Sequence, residues 1–342
     1  MKRVVTTVVL IACLATLPRD GFGQAQLNVG TVQGVLRTLA VTTSVPAIGL
    51  GGSGSAITED ASYAALNPAI FAGANHALAY VASLDSPDRA EVRNLQMSAA
   101  FSFKALGMDW RAGIGVVYTS RTTSPLRIDL YTPFVPVDTS IVSKRDDDYF
   151  GLPLAAALKL NKLNLSVGFV PKQVRVRDEG LGLKEDATVY DVGGALWRPI
   201  KLTRDSNLVP SVGASYLNSG SDEFFKIPGV IRYGARLRYE NSRWSQYGEW
   251  AGPDTPFFAF SVTADAIDPQ YDEGEFQYGV GAEMAFLELV FIRGGYRDDG
   301  EDGQAVLGAG LGPVTDHFML RIDGAWAEGD AGAVSFAAGL VF

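Results

Sequence analysis

Arg232, Arg236 and Arg238 interleave with Ile231, Tyr233, Ala235, Leu237 and Tyr239 in one short segment. In an extended strand, successive side chains point to opposite faces, so the three arginines share one face and the apolar residues the other. Guanidinium groups arrayed in this way bind carboxylates, often through two parallel hydrogen bonds. Glu283, Arg293, Arg321 and Asp323 stand at comparable positions of later segments. Two chemistries suit the set. The arginines pair with carboxylates of the chain itself, or some of them meet the anionic head group of a solute.

Other reactive constellations are sparse. His76 and His317 are the only histidines, and neither has a nucleophile near it in sequence, so no catalytic residue is assigned and the chain does not read as an enzyme. Gly49-Leu50-Gly51-Gly52-Ser53-Gly54 matches a dinucleotide fingerprint literally, but no strand–helix–strand unit follows to present it. Asp298 to Gly303 has the look of a calcium loop, yet Gly300 occupies the third ligand position and Ala309 stands where the bidentate glutamate belongs. It reads as a solvated loop, with weak divalent binding that bridges lipopolysaccharide phosphates as the alternative. Cys13 is the sole cysteine, which removes disulfides and thiolate metal sites. Neither a cofactor nor a metal is expected. A net charge of -9 argues against nucleic acid as a partner.

What positions the charged residues is a ladder of strands. Hydrophobic residues make up 47% of the chain, yet no internal run reaches the roughly 20 apolar residues of a transmembrane helix. The apolar content is instead dispersed in alternation. Phe276, Tyr278, Val280, Ala282 and Met284 alternate with Gln277, Gly279, Gly281 and Glu283, and Val334, Phe336, Ala338, Leu340 and Phe342 close the chain in the same rhythm. Runs around Val290–Arg293 and Phe318–Asp323 behave alike, and earlier candidates fall at 77–84, 94–104, 109–119, 149–160, 163–176, 187–197, 208–217, 229–239, 256–266 and 304–311. These predict an all-β fold, a single transmembrane antiparallel β-barrel of about 14 strands. The count carries a margin of two, because 242–250 also fits a strand and 163–176 changes phase near Pro171, as a bulge would.

The connections sort by parity. Those near 105–108, 161–162, 286–288 and 312–316 are short, and 198–207 is basic. The alternate set is longer and acidic, including 120–148 and 297–303, and 240–255 is the exception. Short turns on one side and long loops on the other are the signature of an up-and-down membrane barrel. Tyr118, Tyr149, Tyr216, Tyr296 and Trp326 fall at the acidic end, and Trp110, Trp197, Tyr239, Phe286 and Phe342 at the other, as interfacial girdles require.

Lys2-Arg3, an apolar run from Val4 to Leu17 and small residues near Gly23 and Ala25 make residues 1–25 a secretory signal peptide. Leu10-Ile11-Ala12-Cys13 also fits a lipoprotein cleavage box, which leaves Cys13 either lipidated or within a cleaved leader. Residues 26–76 lack a period of two and form an N-terminal plug or hatch, and 77–342 form the barrel. A barrel of about 14 strands encloses more volume than its wall side chains fill, so something must occupy the lumen.

The plug candidate carries a family likeness. Gly51-Gly52-Ser53-Gly54-Ser55-Ala56-Ile57-Thr58-Glu59-Asp60, running on to Asn67-Pro68-Ala69, resembles the glycine-rich, acidic segment of FadL-type outer-membrane transporters and of the related PorV family of type IX secretion. Gly279–Glu283 followed by Ile292–Tyr296 resembles a strand pair of the PorV-like branch. The resemblance implies a fourteen-stranded barrel with an N-terminal plug in the Gram-negative outer membrane. Its partners would be outer-membrane lipid and lipopolysaccharide, and the barrel-assembly machinery, with Phe342 as the barrel insertion signal. It makes Gly51, Gly52, Gly54, Asp60, Asn67 and Pro68 the gate. Independently of the likeness, the cost of facing charge to lipid makes Arg232, Arg236, Arg238, Glu283, Arg293, Arg321 and Asp323 candidate lumen contacts for a solute. The resemblance divides function between gated passive transport of a hydrophobic or amphipathic small molecule and a role beside a secreted protein. A water-filled porin is a third reading, against which the plug argues.

Overall fold

The computed structural model describes residues 43–342 apart from 75, 86–89, 124–125, 133–134, 144, 179–182, 221–228, 243–255, 271–275, 299–302, 313–317, 328–332 and 342. The expected leader with Cys13, the first part of the plug candidate, His317, Phe342, most of the 298–303 loop and nearly all of the 242–250 candidate strand lie outside the described residues.

Among the described residues, fourteen strands build the wall. They are β1 His76–Asp85, β2 Ala90–Ala105, β3 Met108–Thr123, β4 Arg145–Gly151 continued by Leu154–Leu160, β5 Leu163–Asp178, β6 Leu183–Trp197 and β7 Ser206–Ser219. The second half comprises β8 Gly229–Asn241, β9 Phe258–Gln270, β10 Gln277–Phe286, β11 Val290–Asp298, β12 Gly303–Leu311, β13 Phe318–Ala327 and β14 Ala333–Val341. Each pairs antiparallel with the next, and β1 pairs with β14 from His76↔Val341 to Leu84↔Ala333, which closes the barrel.

The period of two decides which face meets what. On β9, Ala259, Ser261, Thr263, Asp265 and Ile267 are buried inward while Phe260 and Val262 are exposed outward. The same holds around the wall, where Met97, Phe101, Val192, Leu237, Ile292 and Ile322 are each among the exposed large apolar residues. An outside this apolar is unsuited to water and matches a hydrocarbon belt. The short connection between β2 and β3 adopts left-handed backbone at both turn residues, Leu106 and Gly107, with φ of 54° and 71°, as a two-residue hairpin turn demands.

Three expectations are corrected here. The 120–148 segment is not a plain loop: β3 runs to Thr123, β4 starts at Arg145, and Leu126–Thr132 pairs with Val135–Ser143 as a hairpin. Opposite charges facing across strands carry the ladder beyond the apolar belt, with Arg121 opposite Asp147 and Arg175 reaching Asp186 at 3.7 Å. Second, β5 keeps one phase through Pro171, and its pairing with β6 runs unshifted from Asn164↔Trp197 to Asp178↔Leu183. What changes is the environment: Val167 and Phe169 face lipid, whereas beyond Pro171 the outward positions are Gln173, Arg175 and Arg177. The interruption lies in β4 at Leu152-Pro153, where proline offers no N–H to the ladder and the pairing resumes in the same register. Third, two residues belong to no outer girdle: Tyr149 is buried on the inward face, and Trp197 stands opposite the inward-facing Ser211 at the lumen end.

Residues 43–74 fill the waist of the barrel. They form a helical turn α1 Val45–Ile48, a 3-10 turn Ala61–Tyr63 and a helical turn α2 Ile70–Gly73. Ser44 caps α1 by accepting from the Ala47 N–H, and Asp60 caps the 3-10 turn by accepting from the Ser62 N–H. All but Ile48, Glu59, Asp60 and Ala65 are buried. Leu50, Ile57, Tyr63, Leu66, Ile70 and Phe71 form an apolar centre that the wall encloses.

Candidate functional site

The plug fits because the wall thins where it touches. Gly168 and Gly193 face the Asn67-Pro68 turn so closely that a Cβ on either would overlap it. Gly213 stands in the same relation to the Ser55 carbonyl, Gly279 to the Gly51 carbonyl and Gly113 to the Phe71 carbonyl. On the plug side, Gly51 and Gly52 turn the chain with φ of 71° and 76°, conformations that disfavour a side chain. Asn67 donates through Nδ2 to the carbonyls of Ser55 (2.9 Å) and Gly194 (3.0 Å), while its Oδ1 accepts from the Ala69 N–H (3.1 Å). Asn67 thereby fixes the plug's own turn and ties it to β6. Gly54, with φ 140°, lies against the Tyr63 ring.

Charge locks the plug on two sides. Asp60 accepts from Arg321 Nη1 (2.7 Å), Arg321 Nε reaches Asp323 (2.7 Å), Asp323 accepts from Arg293 (2.7 Å), and Arg293 Nε reaches Glu283 (2.7 Å). Across the lumen, Glu59 accepts from Arg236 and, at 2.6 Å, from Arg238, which also contacts Glu240 (2.9 Å) and Glu288 (3.2 Å). Arg232 donates to the Gly52 carbonyl (3.1 Å) and approaches Asp265, which accepts from the Ser55 N–H (3.1 Å). Burial alone would raise the Glu59 carboxyl, but Arg236 and Arg238 outweigh it and hold it down at about 2. Asp60 is likewise held far below the usual carboxylate range, burial being outweighed by Arg321. Burial and like-charged neighbours raise Glu288.

Of the seven wall residues singled out in the sequence, Arg232, Arg236, Arg238 and Arg321 contact the plug, and Asp323, Arg293 and Glu283 continue the charge chain behind Arg321. Glu59 and Asp265 complete the set and were missed, although Glu59 adjoins Asp60 and Asp265 sits at an inward strand position. The wall glycines were missed as well. Their signal was recurrence at inward positions, which becomes visible only once the faces are assigned. Among the described residues no cluster of histidine, cysteine and carboxylate groups suited to a metal is present.

The two sides of the plug differ. Toward the short turns lies a vestibule of about 740 Å³ whose lining includes Trp110, Trp197, Arg111, Glu59, Arg238 and Glu240. Toward the long loops, the inward wall carries Val174, Val176, Val189, Leu217, Val230 and Ile267, all buried. A uniformly polar lumen is thus not what the chain builds.

A closed fourteen-stranded wall with an apolar outside and an N-terminal segment seated across its lumen defines a plugged transmembrane β-barrel. Its fold is similar to that of the Ralstonia pickettii toluene transporter TbuX, at 12% identity over 90% of this chain and 100% of that one, with a TM-score of 0.50. Looser likenesses are the CymD monoaromatic hydrocarbon channel (12% identity, 88% of this chain and 97% of that one, TM-score 0.47) and a Pseudomonas aeruginosa FadL homologue (11%, 88% and 99%, 0.43). No family model matches the chain, and no curated protein matches its sequence. The likeness at this identity concerns fold.

Proposed function

We propose that the chain is an outer-membrane barrel that admits hydrophobic or amphipathic small molecules passively, gated by the plug, and that it performs no chemistry on them. The observation that carries this reading is the apolar inward face on the loop side, ending on a plug locked by Glu59 and Asp60. A water-filled porin needs a polar lumen, whereas Val174, Val176 and Val189 belong to one buried apolar cluster with the plug residues Leu66 and Phe71, so a solute would meet apolar side chains once the plug moves. TbuX, the barrel it resembles in fold, is a toluene transporter, which is the same solute class. Residues 1–25 would direct export, Phe342 would address the last strand to the barrel-assembly machinery, and lipopolysaccharide would face the loop-end outer wall. The long acidic loops then lie outside the cell and the vestibule opens to the periplasm.

Uptake tests this directly. Outer-membrane vesicles bearing the chain should take up a hydrophobic probe such as naphthalene faster than vesicles without it, and deletion of 51–69 should change that rate while the barrel remains folded. Equal uptake with and without the chain, together with stoichiometric partner proteins in crosslinked membranes, would instead support a role beside a protein secretion system.

A further inference from the structure

One buried charge pair takes no part in the plug lock. Lys172 on β5 meets Asp191 on β6 at 2.5 Å, with side chains 9% and 5% exposed. Lys172 also donates to Asn218 Oδ1 (3.2 Å), and Asp191 accepts from the Asn218 N–H (2.8 Å). Asn218 has φ of 57° and sits where the β6–β7 register shifts between Tyr216 and Ser219. This bulge aims its side chain at the pair.

The surroundings are apolar: Val170, Val174 and Val189 are buried beside it along the same inward faces. Its height is also specific. Lys172 lies four residues, and Asp191 two, to the loop side of Gly168 and Gly193, the glycines pressed against Asn67-Pro68. At about 3.3 Å per residue, that is about 7–13 Å along the strands from the Asn67-Pro68 contact, toward the loops. An ion pair buried among valines adds little stability over an apolar pair of the same volume, so wall strength does not account for it.

Resting on the transport reading, we propose that Lys172, Asp191 and Asn218 form the polar end of a solute site selecting hydrophobic molecules that carry one neutral hydroxyl group. A lysine ammonium has three donors, of which Asp191 and Asn218 take two; the ring of Tyr149 lies 4.8 Å from Nζ and engages the cation only weakly. A hydroxyl oxygen can accept from Lys172 while its hydrogen is donated to Asp191. A carboxylate gains nothing comparable, because Asp191 already balances the ammonium and repels a second anion.

The test uses the purified full chain in detergent and three fluorescent probes of one shape: naphthalene, 1-naphthol and 1-naphthoate. 1-Naphthol should bind about five- to tenfold tighter than naphthalene, the worth of a well-made hydrogen bond, and 1-naphthoate no tighter than naphthalene. In K172M/D191L, naphthalene binding stays and the 1-naphthol advantage disappears. In Asp191→Asn, the ammonium loses its counter-charge and 1-naphthoate should overtake 1-naphthol. Tightest binding of 1-naphthoate by the unaltered chain, or a 1-naphthol advantage surviving in K172M/D191L, overturns the site. Naphthalene binding with no 1-naphthol preference also sinks the site but leaves transport standing, whereas no binding of any probe sinks both.

Discussion

Replacing Glu59 by Gln should loosen the plug without touching the wall. The docked carboxyl titrates at about 2 against an ordinary 4.5, because Arg236 and Arg238 outweigh the burial that would raise it. At face value that difference favours the docked, charged form by about 3 kcal/mol. The Glu59 side chain is 37% exposed toward the vestibule, so solvent screening reduces the figure to about 1–2 kcal/mol. A loss of about 1.4 kcal/mol is tenfold in population, so single-channel recordings in planar bilayers should show openings about ten times more frequent in E59Q. The pH dependence follows from the sign of the shift. A depressed folded-state pKa gives a contribution complete above 4.5 that fades as pH falls toward 2, so the unaltered chain should open more often across that window. E59Q should respond less, keeping only the share that Asp60 supplies. Identical opening frequencies for the two proteins, or an undiminished acid response in E59Q, would refute the lock.

Further outcomes follow from the same geometry. Gly193→Leu should leave a heat-modifiable barrel whose steady conductance rises, because the side chain would occupy the Asn67-Pro68 seat; a silent channel would contradict the fit. Val280→Arg, on the outward face, should destabilise the barrel in lipid by about 2–4 kcal/mol in denaturant titrations, and Gly281→Arg would not report on lipid at all because that position faces the plug. Asp323→Asn should cost about 3–5 kcal/mol in denaturant titrations by leaving Arg293 and Arg321 short of a buried counter-charge, and an unchanged stability would contradict the charge chain.

The barrel was legible in the sequence because lipid enforces alternation along every wall strand, and the fourteen runs read there correspond to the fourteen strands found. Legibility failed where the environment changed along a strand. Beyond Pro171, β5 leaves the apolar belt and exchanges which face is apolar, which imitates a phase change although the pairing is continuous. Tyr149 was misplaced for the same reason: at the loop end of β4 an aromatic residue packs inward over Lys172. The arginines were readable as inward because three charges on an otherwise apolar strand have no tolerable lipid-facing position. Their partners were not readable. Glu59 and Asp60 lie 177 and 261 residues from the arginines they meet, and only closure of the barrel brings them together. Glycines such as Gly168 and Gly213 carry no side-chain pattern, so their role emerges only from the backbone that crosses them.

The central claim, that solute passes only when the plug moves, can be tested with a reversible lock. Ser53 Oγ on the plug and Thr263 Oγ1 on β9 are 2.6 Å apart, so a Ser53→Cys/Thr263→Cys pair should form a disulfide bridging plug and wall. Uptake of naphthalene by vesicles bearing this variant should stop on oxidation and return on reduction. Uptake that continues at the same rate with the disulfide closed would contradict the account.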